Sequence, residues 1–73
     1  MARYKIVYTY TDYSENIHGT RVKTYDIYEE ETAQDAVDSC REDFYISNEL
    51  EIIDVLKWSP FGYWLPTLPN AWK

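Results

Sequence analysis

The chain has 73 residues, a formal net charge of −6 and 18% aromatic residues, with one cysteine, one histidine and three tryptophans. That length leaves room for one domain, whose folding removes only about 60% of the surface of the unfolded chain, and a fold of three elements can hardly enclose, without a partner, the concave pocket of roughly 300 Å³ or more that enzymes usually need. A non-enzymatic protein is expected.

Cys40 has no partner for an internal disulfide, and Cys40 and His18 alone do not make a zinc site, so no metal or cofactor is implied and a reducing cytoplasm is the expected setting. Residues 1–5 run straight into an alternating segment with no apolar stretch of the secretory kind. No apolar run approaches the roughly 18 residues needed to span a bilayer, and the net negative charge is repelled by anionic lipid. No membrane association is expected. Charge is segregated along the chain: residues 29–54 hold ten carboxylates against a single base, Arg41, while the remainder is slightly basic.

Residues 3–11 alternate, with Tyr4, Ile6, Tyr8 and Tyr10 on one side and Lys5, Val7 and Thr9 on the other, which predicts a strand. The polar stretch 11–19 ends in Gly19 and reads as a long hairpin connection. A second strand is predicted over residues 20–28. Its phase is mixed, because Val22 and the pair Tyr25, Ile27 fall on opposite parities, and a bulge near Lys23 or Thr24 would reconcile them.

Thr32 with Asp35 three residues later resembles a capping box, and the acids before it suit the positive end of a helix. Ala33, Ala36, Val37, Cys40 and Phe44 recur at steps of three and four, giving one apolar stripe on a helix that stops near Phe44 or Tyr45. A third strand is predicted over residues 50–58. Leu50, Ile52, Leu56 and Trp58 share one parity while Ile53 and Val55 take the other, so both of its faces are expected to be buried.

Residues 59–73 contain no acid and hold every proline. Ser59, Pro60, Phe61 and Gly62 fit a type I turn with proline second and glycine fourth, and beyond it the chain is expected to be extended and partly polyproline-like. The expected architecture is α+β: a three-stranded antiparallel sheet in β-β-α-β order over residues 1–58, a helix on one face, and an extended aromatic, proline-rich arm over residues 59–73. The other face, with its tyrosines, is left for the arm, a second copy or a partner to cover.

Asp35, Asp38 and Glu42 repeat along the helix axis at about 4.5 and 6 Å, with Glu30 and Glu31 beside its start. The plain account is a solvated face; the functional one is a carboxylate ridge that enters a basic groove built for phosphates. Tyr63, Trp64 and Trp72 are the candidate aromatic anchors for a partner, against the alternative that the arm folds back over the sheet.

Arg3, Lys5, Arg21 and Lys23 interleave with Tyr4, Tyr8, Tyr10 and Tyr25 in the manner of a base-stacking sheet. The net charge disfavours direct nucleic-acid binding, and these bases are expected either to pair across strands with Asp26 and the nearby acids or to guard an edge strand against pairing. Cys40 on the apolar stripe and His18 in a turn do not form a nucleophile pair, and Asp38 with Glu42 on a solvated face does not form an acid and base dyad.

In size, acidity, strand-strand-helix-strand layout over about residues 3–58 and lack of catalytic groups, the chain resembles the small proteins that phages and mobile elements encode to block host machinery, anti-CRISPR proteins among them. That resemblance is one of general organisation. It implies a protein of the host-cell cytoplasm that inhibits a larger, basic protein by steric or charge blockade. The alternative expectation is a structural homo-oligomer, a homodimer in its simplest form, assembling through the tyrosine-rich sheet face or an edge strand.

Overall fold

The computed structural model describes residues 1–15, 17–43 and 49–67. Five elements follow one another: β1 (Ala2–Asp12), β2 (Thr20–Glu30), α1 (Ala33–Asp43), β3 (Glu51–Trp58) and β4 (Trp64–Pro66). They form an α+β fold with one antiparallel sheet in the order β2-β1-β3-β4. The sheet therefore has four strands where the sequence predicts three. The difference lies in the first part of the arm, which pairs with β3 instead of standing apart.

Alternation in β1 is realised as predicted. Tyr4, Ile6 and Tyr8 turn to the helix and are buried, Ile6 completely. They meet Ala33, Ala36, Val37 and Cys40 of α1 and Val55 of β3 in one core, with Tyr10, Tyr28, Leu50 and Ile52 packed at its margin. The tyrosine-rich face is thus the covered one, which corrects the expectation that it lies open. Ring area beneath a helix made largely of small residues fills the interior, and close packing removes it from water.

No bulge interrupts β2. Its pairing with β1 runs in unbroken register from Ala2 opposite Glu30 to Asp12 opposite Thr20. Val22 lies on the helix side, and Tyr25 and Ile27 lie on the other, so the mixed parity reflects two apolar faces. The bulge occurs in β3: Val7 faces Asp54 while Tyr8 faces Ile52, which leaves Ile53 as the extra residue. That insertion brings Leu50 and Ile52 to the same side as Val55 and leaves Ile53 exposed. Burial of β3 on both faces is therefore not observed, since Ile53 and Trp58 are 44% and 38% exposed.

Thr32 caps α1 as the sequence indicates. Its Oγ1 accepts a hydrogen bond from the Asp35 N–H at 3.1 Å, satisfying one of the donors left free at a helix start, and its carbonyl accepts the first regular helix bond, from the Ala36 N–H at 3.2 Å. The expected Phe44 contact and the helix stop near Tyr45 lie outside the described residues.

The hairpin joining β3 to β4 is built around Ser59. Gly62 N–H donates to Ser59 O at 3.2 Å, closing the predicted turn, and Ser59 N–H donates to Tyr63 O at 3.0 Å. The buried Ser59 hydroxyl accepts from the N–H groups of Phe61 and Tyr63. Gly62 takes φ 90°, the left-handed residue that ends a three-residue hairpin loop. Pro66 fits an edge strand because it sits at a position whose missing N–H faces no acceptor on β3, while Thr67, one residue on, donates both N–H and hydroxyl to Val55 O at 3.1 and 3.0 Å.

At the far end of the sheet Arg21 joins three strands. Its guanidinium donates to Thr9 Oγ1, Thr11 Oγ1 and Glu49 O at 2.8, 3.0 and 2.7 Å and lies 3.4 Å from Glu51. Thr11 in turn donates to Glu49 at 2.9 Å. These bonds hold Glu49 at φ 57°, a conformation that a side chain beyond glycine rarely adopts.

Candidate functional site

The helix fixes where the carboxylates go. Ala33, Ala36, Val37 and Cys40 are buried, and at 100° per residue Asp35, Asp38 and Glu42 fall on the opposite side of the cylinder. All three are exposed, as is Glu31, while Glu30 is half-buried. The predicted ridge is therefore a real feature of the surface and points directly away from the sheet. Two of its members are held in place: Gln34 donates to Asp38 at 2.9 Å and Ser39 donates to Glu30 at 2.9 Å. The second contact ties the start of the ridge to the end of β2.

Trp64, among the aromatic candidates, does not join that ridge. Trp64 faces Trp58 across the hairpin, ring centroids 5.1 Å apart and planes at 67°, an edge-to-face pair. Lys5 alternates with the buried Tyr4 and Ile6, so its side chain lies on the face opposite the helix. There its Nζ sits 4.3 Å from the Tyr25 ring centroid and 5.8 Å from that of Trp64, within reach of cation–π attraction to both. Trp64 therefore belongs to the open face of the sheet. Tyr63 stands at the hairpin tip, 53% exposed and stacked at 6.3 Å on Phe61. Trp72 lies outside the described residues.

The carboxylate ridge and the cluster around Trp64 thus lie on opposite sides of the sheet. The open side was missed in the sequence because it needs the strand pairing to assemble. Tyr25, Ile27, Val7, Leu56, Trp58 and Trp64 lie together on it, and Tyr25 and Ile27 are 54% and 46% exposed. Arg3, Lys5, Arg21 and Lys23 share that face, since all occupy odd positions of β1 and β2. Two of these bases meet acids across strands, Arg3 approaching Glu29 at 3.3 Å and Arg21 approaching Glu51 at 3.4 Å, while Asp26, the acid named for them, accepts from Tyr8 instead. The molecule is consequently two-sided, acidic over the helix and aromatic with mixed charge beneath.

Burial acts on three titratable groups in and beside the core. Burial raises the Tyr8 phenol well above its ordinary range, and its hydrogen bond to Asp26 adds to the shift. Tyr28 is raised likewise, by burial first and then by the bond to Asp43. Cys40 is completely buried and its thiol is pushed up by desolvation, which makes it a poor nucleophile. His18 is exposed in the loop between β1 and β2.

Among the described residues, no group of three or more His, Cys, Asp or Glu is placed to hold a metal ion, and no helix is long and apolar enough to cross a membrane. An open groove of about 510 Å³ lies at one end of the sheet, lined by Arg3, Glu29, Trp58, Ser59 and Pro60 among others. Its titratable side chains are Arg3 and Glu29, which pair with each other. No protein family, known protein or solved structure matches the chain.

Proposed function

We propose that the protein is a small non-catalytic binding protein that blocks a basic surface of a larger protein, in the manner of a phage-encoded inhibitor acting in the cytoplasm of a host cell. The observation that supports this reading is the outward ridge of Asp35, Asp38 and Glu42 with Glu30 and Glu31. Asp35, Asp38 and Glu42 lie on a helix whose opposite side is anchored in the core, so their carboxylates are presented on a rigid element, with Glu30 and Glu31 just before its start. Gln34 and Ser39 hold two of them, which lowers the entropy lost when a partner orders the rest.

Charge of one sign on one side steers a basic partner to that side and repels nucleic acid from it. Placement of Trp64 on the other side changes the expected role of the aromatic set. Trp64 packs the β3 and β4 hairpin through Trp58, and Tyr63 at the tip remains the accessible anchor.

The reading is tested by affinity capture from a host-cell lysate, using the natural chain beside Asp35→Lys/Asp38→Lys/Glu42→Lys. Circular dichroism first checks that the variant is folded. Recovery of a basic protein by the natural chain and its loss with the variant supports the proposal. The same protein recovered equally by both eliminates charge-led binding.

A further inference from the structure

The two edges of the sheet are built differently. β4 has three residues and contains Pro66, both devices that keep an edge from pairing. β2 has eleven residues, no proline, no glycine and no bulge, and no described strand lies beyond it.

The hydrogen-bonding phase of the sheet shows what that long edge presents. Thr67 N–H donates to Val55 O and Ser59 N–H to Tyr63 O, so odd residues of β3 from Val55 onward direct their backbone groups at β4. Asp54 and Leu56 then direct theirs at β1, opposite Val7 and Lys5. Even residues of β1 therefore bond to β2, opposite Tyr28, Asp26, Thr24 and Val22. What remains is a row of outward N–H and C=O groups on Arg21, Lys23, Tyr25, Ile27 and Glu29.

Charge along the same strand is antisymmetric. The bases Arg21 and Lys23 occupy its first half and the acids Asp26, Glu29 and Glu30 its second. Such a strand is complementary to itself when antiparallel and repulsive to itself when parallel and in register.

We infer that β2 pairs with β2 of a second copy, antiparallel about a two-fold axis through Tyr25, joining two four-stranded sheets into one of eight. The inference is independent of the acidic ridge. A centre at Tyr25 is the register that overlaps all eleven residues, and it sets outward backbone groups against outward backbone groups. Arg21 then faces the partner's Glu29, Lys23 the partner's Ile27, Val22 the partner's Tyr28 and Thr24 the partner's Asp26. Because Glu29 already meets Arg3 and Arg21 already meets Glu51, each end of the interface becomes an alternating row of four charges. The open faces of the two copies merge, with Tyr25 beside its counterpart. Both helices remain on the same side, their ridges pointing outward.

Sedimentation equilibrium and light scattering of the full chain, read across a micromolar concentration series, give the mass, which is expected to reach twice 8.8 kDa. Register is read by disulfide trapping. Opposed residues of a hydrogen-bonded pair have Cα atoms about 5.5 Å apart, within disulfide reach. Tyr25→Cys should therefore cross-link to itself. Lys23→Cys alone should not, whereas a mixture of Lys23→Cys and Ile27→Cys should. Tyr25→Pro removes an outward N–H together with the ring beside Lys5, and Tyr25→Ala removes the ring alone, so the proline variant should raise the dissociation constant by about tenfold or more relative to the alanine one. A chain that stays at 8.8 kDa throughout, or a dimer in which Tyr25→Cys fails to cross-link, overturns the inference.

Discussion

Tyr28 of β2 donates its phenolic hydrogen to Asp43 across 2.7 Å, tying the last turn of α1 to the edge of the sheet. Tyr8 makes the matching bond to Asp26 at 2.5 Å from the middle of the sheet. Both phenols are raised from their ordinary value, through burial first and the carboxylate bond second. Folding therefore holds these two protons more tightly than the unfolded chain does. Their contribution to stability is fully present below the ordinary tyrosine value of about 10 and is lost as pH rises above it. Unfolding free energy is expected to fall steeply above that pH, and the fall should flatten in Tyr8→Phe/Tyr28→Phe. Ultraviolet titration should show two of the eight tyrosines ionising only as the protein unfolds. Normal ionisation of all eight with the fold intact contradicts this account.

The two glycines separate backbone strain from steric conflict. Gly62 has φ 90° with open space around a built Cβ, so Gly62→Ala should cost only the left-handed conformation, about 1 kcal/mol. Gly19 has φ 77°, and a Cβ there would stand 2.4 Å from Thr11 Cγ2 and 2.7 Å from Tyr13. Gly19→Ala should cost at least about 2 kcal/mol, because it adds overpacking against the end of β1. Urea unfolding of both variants checks the order, and equal costs would contradict it.

Removing the helix cap should be milder than opening the core. Thr32→Ala loses the bond to the Asp35 N–H and is expected to cost about 1 kcal/mol. Ile6→Ala leaves a void between β1 and α1 and is expected to cost about 2 to 5 kcal/mol, a large part of the roughly 5 kcal/mol available to a small domain. Thermal unfolding followed by circular dichroism should place Ile6→Ala far below Thr32→Ala.

Local chemistry was readable in the sequence, and pairing was not. Thr32 as a cap, Ser59 to Gly62 as a turn and the buried stripe of Ala33, Ala36, Val37 and Cys40 each depend on residues a few positions apart. The bulge is different. Parity placed it in β2, where Val22, Tyr25 and Ile27 disagree, yet those residues merely serve two faces, and the extra residue is Ile53. Only the pairing of β3 with β1 reveals it. Trp64 as part of an edge strand was hidden for a related reason, since Pro66 argues against a strand unless its missing N–H faces no acceptor. The ridge of Asp35, Asp38 and Glu42 followed from helical periodicity. Its separation from Trp64 followed from topology alone.

Charge reversal on the ridge addresses the central claim most directly. Binding of the captured partner is measured over a range of salt concentrations for the natural chain and for Asp35→Lys/Asp38→Lys/Glu42→Lys. If the ridge meets a basic surface, the natural chain loses affinity steeply with salt, and the variant binds at least about tenfold more weakly at low salt with a flatter dependence. Equal affinity and equal slope for the two chains would contradict the account.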